Sequence, residues 1–194
     1  MDMQSRGKIV VIAGPVGVGK NSIINEVIKR CAKCADLVTA TTRAPRPGEK
    51  HGVDYFFMSE EEFDTNVENG NILEIYHHPA GFRNGTYAPF IYEHLAKGET
   101  VLGDVTLDGA KFLKKEFGAI GIFVMPPEFG VLKQRIMSRH SNMPSNELEN
   151  RLALAKKEIE EDASWYDYRI VNEEDRLDEA VENVLHIMKK EGYI

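Results

Sequence analysis

The stretch "KIVVIAGPVGVGKNSIINEVI", Lys8 to Ile28, decides the fold. Its opening is a continuous apolar run, as expected of a strand covered on both faces. Its close places Ile23, Ile24, Val27 and Ile28 on one face of a helix running from Lys20 to about Lys33. Between them, Gly14, Pro15, Val16, Gly17, Val18, Gly19 and Lys20 fit G-x-x-x-x-G-K. Glycines there let successive backbone N–H groups curl around a phosphate, and the helix presents its positive end to the same anion. Lys20 reaches terminal phosphates as a point charge. A plain glycine turn is the bland alternative, and the strand–loop–helix context argues against it. The motif then departs from type. Asn21 stands where a Ser or Thr holds magnesium, and Ser22 comes one place late. The Asn amide oxygen is a hard neutral ligand that can substitute; alternatively waters and phosphates hold most of the ion.

The chain has 194 residues, which suits one domain with small inserts. With 42% hydrophobic and 28% charged residues it has an ordinary globular composition. Its formal net charge of -7 argues against broad binding to nucleic acid or an anionic membrane, which want a basic face. The start, "MDMQSRGK", carries no apolar signal segment, and the longest apolar runs are too short to cross a bilayer. A cytoplasmic location is expected. Cys31 and Cys34 read as two reduced thiols at a helix end rather than a redox pair, because the thioredoxin-like context is missing. A zinc site would need more ligands nearby. His77 and His78 read as surface residues.

Outward from the loop, "ETVLGDV" and "AIGIFVM" read as further parallel strands, each followed by a helical pattern. "YRIV" is a short final strand, and the last helix runs from about Arg176 to Lys190. This order implies a three-layer α/β/α core around a parallel sheet. From Thr39 to Tyr87 the alternation breaks into a loop, a short strand, a helix and another strand, an inserted α+β unit. Its helix carries a start signal, Ser59 with Glu62 three residues on. "SRHSNMPSN", Ser138 to Asn146, reads as a mobile loop.

The segment "TATTRAPRPGEKHGVDYFF", together with the phosphate loop, closely resembles guanylate kinase. The resemblance covers nearly the whole chain, returning in "GNILE" at Glu74, "GD" at Asp104, "PP" at Pro126 and "IVNEE" near the end. It implies transfer of the terminal phosphoryl group of ATP to GMP, or dGMP, within purine nucleotide metabolism, with magnesium bound alongside ATP. It divides the chain into a core of residues 1–38, 88–137 and 153–194, a GMP-binding subdomain of 39–87 and a lid of 138–152. It also implies that Arg43, Arg46 and Tyr55 grip the GMP phosphate. Two guanidinium forks suit a dianion, and in an extended segment Arg43 and Arg46 project to one side. Guanine presents N–H donors and an O6 acceptor. The resemblance gives it Glu74 and Asp104 as carboxylates and Thr39 and Thr86 as hydroxyls, and a site of such bonds rejects adenine. Arg135, Arg139 and Arg151 are implied to converge with Lys20 on the ATP phosphates, where positive charge carries phosphoryl transfer. Asn172 matches a position near the adenine. Whether the chain is a monomer or a homodimer is left open.

Departures from the family pattern bear on how the site works. Asn84 stands where a tyrosine usually helps hold the GMP phosphate, with Arg83 or Tyr87 as compensators. Thr106 and Asp108 replace a usual acidic residue and a glutamine. Asp104 and Thr106 are expected on one face of a strand. Two alternatives accompany the kinase reading: a non-catalytic guanylate-kinase-like module binding a phosphorylated peptide, and a related nucleoside monophosphate kinase with a shifted acceptor.

Overall fold

A computed structural model of the chain describes residues 7–139 and 144–194. The apolar run of the opening stretch becomes β1 (Lys8–Ala13), the middle strand of a five-stranded parallel sheet. The order is β2 (Cys34–Asp36), β7 (Thr100–Gly103), β1, β8 (Ile120–Met125), β9 (Tyr168–Val171). Strand alternation sends Val10 and Ile12 to one face and Ile9, Val11 and Ala13 to the other. The first face packs on α1 (Lys20–Arg30), α5 (Phe129–Arg139) and α7 (Leu177–Lys190) through Ile23, Leu132 and Val181. The second packs on α3 (Ala88–Ala96) and α4 (Leu107–Phe117) through Ile91 and Leu113. Both faces of β1 are therefore buried, which is why its sequence does not alternate with polar residues. Each such side chain contributes about 1.5–3 kcal/mol on burial. The expected three-layer core is present.

Two element ends differ from the sequence reading, each for a local reason. Helix α1 stops at Arg30, short of Lys33, because Cys31 takes an extended conformation. The Cys34 N–H donates to the Cys31 carbonyl at 3.0 Å, and the resulting turn brings the two residues into a disulfide with Cα atoms 5.4 Å apart. The expected pair of reduced thiols is thus corrected. Strand β7 ends at Gly103, and Thr106 caps α4 by accepting the Gly109 N–H. Asp104 and Thr106 therefore lie in the connection between β7 and α4 rather than on one strand face, Asp104 toward Lys20 and Thr106 toward Glu74.

The insert forms a four-stranded sheet ordered β4 (Phe56–Phe57), β3 (Ala40–Thr41), β6 (Arg83–Tyr87), β5 (Ile72–His77), with α2 (Glu60–Glu68) packed on it. The start signal of α2 is a full capping box: Ser59 Oγ accepts the Glu62 N–H, and the Ser59 N–H donates to the Glu62 carboxylate. Phe63, Ala40 and Ile72 form a small core of its own. The β5–β6 register shifts between Ile72 and Ile75, and this bulge re-aims the residues within it. Leu73 packs into the core beneath α3 and α4. Glu74 turns to the cleft between the insert and the main sheet. Of the expected mobile loop, Ser138 to Asn146, residues 140–143 lie outside the described residues, while Ser138 and Arg139 end α5. On its far side α6 (Ser145–Glu160) begins at once, so most of the second half of the 138–152 stretch is helix. Among the described residues no helix is long and apolar enough to cross a membrane.

Candidate active site

The phosphate loop is shaped by three glycines in conformations that side chains resist: φ is 143° at Gly14, 83° at Gly17 and 103° at Gly19. Space forbids a side chain as well. A Cβ on Gly14 would lie 2.5 Å from the Val124 carbonyl oxygen, and one on Gly19 would lie 2.5 Å from Asn172 Nδ2. Helix α1 starts at Lys20 with its first-turn N–H groups directed at the loop. Lys20 Nζ donates to the Gly14 carbonyl at 2.6 Å and stands 3.5 Å from Asp104 Oδ2. Asn21 is exposed and Ser22 half-buried in the first turn of α1.

The loop separates two depressions. On one side is a groove of about 190 Å³ lined by Gly17, Val18, Gly19, Arg135, Ser138 and Asn172. Asn172, 7% exposed, donates from Nδ2 to the Val18 carbonyl at 2.8 Å, and its own carbonyl accepts both terminal nitrogens of Arg135 at 3.3 Å. Asn172 thus ties the loop to β9 and orients Arg135.

On the other side lies a cleft of about 370 Å³ that runs from Gly14, Val16 and Lys20 to the insert. Thr39, Tyr55, Glu74, Asn84, Thr86 and Asp104 all line it, as do Thr106 and Tyr76. At the insert end, Glu74 accepts from the Thr86 hydroxyl at 3.1 Å and from the Thr106 hydroxyl at 3.2 Å. A Cβ on Gly109 would lie 3.2 Å from Glu74 Oε2, so the carboxylate rests on the first turn of α4. Asp104, expected beside Glu74, faces Lys20 instead; Thr106 has the place next to Glu74. Asn84 Oδ1 is the one buried side-chain polar atom without a hydrogen-bond partner among the described residues.

The arginines are distributed unevenly. Arg43 lies with its guanidinium 5.4 Å from the Tyr55 ring centre, bonded to Glu49 at 2.9 Å and to the Ala44 carbonyl at 2.8 Å. Arg46 is exposed and heads a tight turn in which the Glu49 N–H bonds to its carbonyl. Pro47 and Gly48 occupy that turn, Gly48 with φ 93°. The turn begins only at Arg46, after the segment expected to be extended, and neither arginine is among the residues lining the cleft. Arg83 pairs with Glu60 and Asp64, and Tyr87 packs on Phe56 at 4.5 Å; neither is among the residues lining the cleft. Asp108 is exposed in the first turn of α4, paired with Lys111. Arg151 pairs with Glu147 on α6 at 2.7 Å, away from the cleft, and Arg139 ends α5.

Sequence reasoning missed the wall opposite the insert. Glu158, Asp162 and Tyr166 line the cleft on the Lys20 side. Burial pushes the Glu158 carboxyl up to about 7 although Lys20 opposes it, with Asp162 and Asp104 adding repulsion. Burial likewise raises Asp104, against the pull of Lys20. The available signal was spacing: Ala155 and Glu158 fall three apart, on one face of α6, and Asp162 opens the short 3-10 turn that follows. Among the described residues no group of three His, Cys, Asp or Glu is placed to hold a metal ion.

A glycine loop passing from a central parallel strand into a helix, with its lysine set in a polar cleft, defines a P-loop phosphate-binding protein. Residues 6–191 match the family model described as Guanylate kinase. The guanylate kinase of Thermotoga maritima is 40% identical over 187 residues, covering 96% of this chain and 88% of that protein. That of Wolbachia pipientis wMel is 36% identical, covering 98% and 94%. The crystal structure of guanylate kinase from Anaplasma phagocytophilum superposes with a TM-score of 0.73 at 28% identity, over 98% of this chain and 88% of that one. The chain belongs to the guanylate kinase family.

Proposed function

We propose that the chain transfers the terminal phosphoryl group of ATP to GMP, giving ADP and GDP, with ATP on the loop and groove side and GMP in the cleft. The observation that carries this is one continuous cleft joining the loop lysine to Glu74, Thr86 and Thr106. Glu74 accepts the guanine N–H donors, and Thr39 donates to O6, since the Thr86 hydroxyl hydrogen goes to Glu74. An adenine N1 lone pair would meet the Glu74 carboxylate and be repelled. Lys20 exchanges its loop carbonyls and Asp104 for phosphate oxygens. Arg135, held by Asn172, adds positive charge on the groove side. Arg43 beside Tyr55 meets the GMP phosphate, which displaces Glu49 as its partner, and Arg46 and Asn84 flank that end. Arg139 and Arg151 join the set by family resemblance.

The donors beside the loop fit magnesium, since Asn21 and Ser22 offer neutral oxygens in the first turn of α1. Magnesium entering with ATP would neutralise phosphate charge there.

The test is an ADP-production assay with ATP and magnesium, comparing GMP, dGMP, AMP, CMP and UMP. GMP-dependent turnover, with dGMP accepted and the others rejected, is expected. Folded protein that binds GMP yet makes no ADP with any acceptor would overturn the proposal in favour of a binding module.

A further inference from the structure

The base-reading end of the cleft contains one carboxylate flanked by two hydroxyls. Thr86 donates to one oxygen of Glu74 and Thr106 to the other. Among the described lining residues the other carboxylates, Asp104, Glu158 and Asp162, lie toward Lys20. Guanine offers three donors along this edge, N1–H and two on the 2-amino group. Hypoxanthine offers N1–H alone with the same O6 acceptor.

A hydrogen-bonding site rejects an analogue strongly when the missing group leaves a buried polar atom unpaired. That does not happen at Glu74. Each of its oxygens already holds a hydroxyl donor from the protein, and N1–H supplies a third. Loss of the 2-amino group therefore orphans nothing. Thr106 is also poorly placed to reward that group: its hydroxyl hydrogen goes to Glu74, and one lone pair takes the Gly109 N–H at 3.2 Å. What remains is a neutral acceptor, whose bond is weaker than one to a carboxylate.

We propose that the acceptor class of this chain is 6-oxopurine nucleoside monophosphates rather than GMP alone. IMP is phosphorylated alongside GMP, AMP is rejected, and Thr106 sets the tolerance. The inference rests on the base-pocket reading above.

The experiment compares kcat/KM for GMP and IMP in the full chain and in Thr106→Asp. Asp keeps the helix-capping role of Thr106 and supplies a second carboxylate. The expected preference for GMP over IMP is about 2–10-fold, the size of one neutral hydrogen bond. In Thr106→Asp that preference rises by about tenfold or more. A merely structural effect of the substitution would lower both nucleotides together and leave their ratio alone, which would overturn the role given to Thr106. Rapid GMP turnover with IMP rejected by about 10⁴-fold would overturn the inference while leaving the kinase reading intact. No turnover of either nucleotide would overturn the kinase reading itself.

Discussion

The two ends of the cleft are built in different ways. The phosphate end is local: strand, loop and helix occupy Lys8 to Arg30, and the loop is fixed by three glycines and by Asn172 reaching in from behind β9. The base end is assembled from Thr39, Glu74, Thr86 and Thr106, which meet only because a hairpin bulge and a helix cap aim them at one point. Rigidity differs accordingly. The loop sits on a strand buried on both faces, whereas the base end is shared between α4, which supplies Thr106, and the insert, which has its own small core around Phe63. An enzyme that accepts two nucleotides gains from this division, because the acceptor side can change its reading without disturbing the phosphate machinery.

The comparison can be broken in several places. Phe63→Ala, which empties the centre of the insert, is expected to cost about 3–5 kcal/mol in urea unfolding. If the insert is the softer unit, the loss appears as an early separate transition; a single unshifted transition would show that the insert does not depend on this core. Lys20→Ala should lower kcat by about 10²–10³-fold, the cost of one lost charge-stabilising donor, with an unchanged unfolding midpoint. Gly19→Ala forces a side chain to φ 103° and against Asn172, at about 1–3 kcal/mol. It should raise KM for ATP well before KM for GMP, as steady-state kinetics with each nucleotide varied would reveal.

The smallest effect concerns pH. Glu158 has its folded pKa raised by burial to about 7 from an ordinary value of 4.5. The folded state therefore holds its proton longer than the unfolded chain, and this contribution to stability is lost as pH rises from about 4.5 through 7. Asp36, raised by burial to about 6, acts in the same direction. Urea midpoints at pH 5 and pH 7.5 should differ less in Glu158→Gln than in the unaltered chain, with the Asp36 part of the slope surviving.

Legibility in the sequence followed the same division. The loop, its flanking strand and helix, the sheet and the α2 capping box were readable, since each is encoded by neighbours in the chain. The stretch from Thr39 to Tyr87 was recognisable as an insert, but the aim of its residues was not. The turn at Arg46 to Glu49, with Pro47 and Gly48 at its centre, brings Glu49 to the Arg43 guanidinium and the Arg46 N–H, a pairing that spacing alone does not announce. Thr106 is a helix N-cap inside what reads as a strand end, and this takes it off the strand face it was expected to share with Asp104. The Cys31–Cys34 bond depends on where α1 ends, which spacing alone does not define. Glu158 escaped notice because a carboxylate on a helix face toward the core carries no motif.

The most direct test of the two-ended site is the effect of Glu74→Gln on the two Michaelis constants. Replacing the carboxylate by a neutral amide removes the negative charge and turns one of the two acceptor oxygens into a donor, and it leaves the loop untouched. The account predicts that KM for GMP rises by about tenfold or more while KM for ATP stays within about twofold, the loss being that of charge-assisted hydrogen bonds. Equal rises in both constants, or a rise in KM for ATP alone, would contradict it.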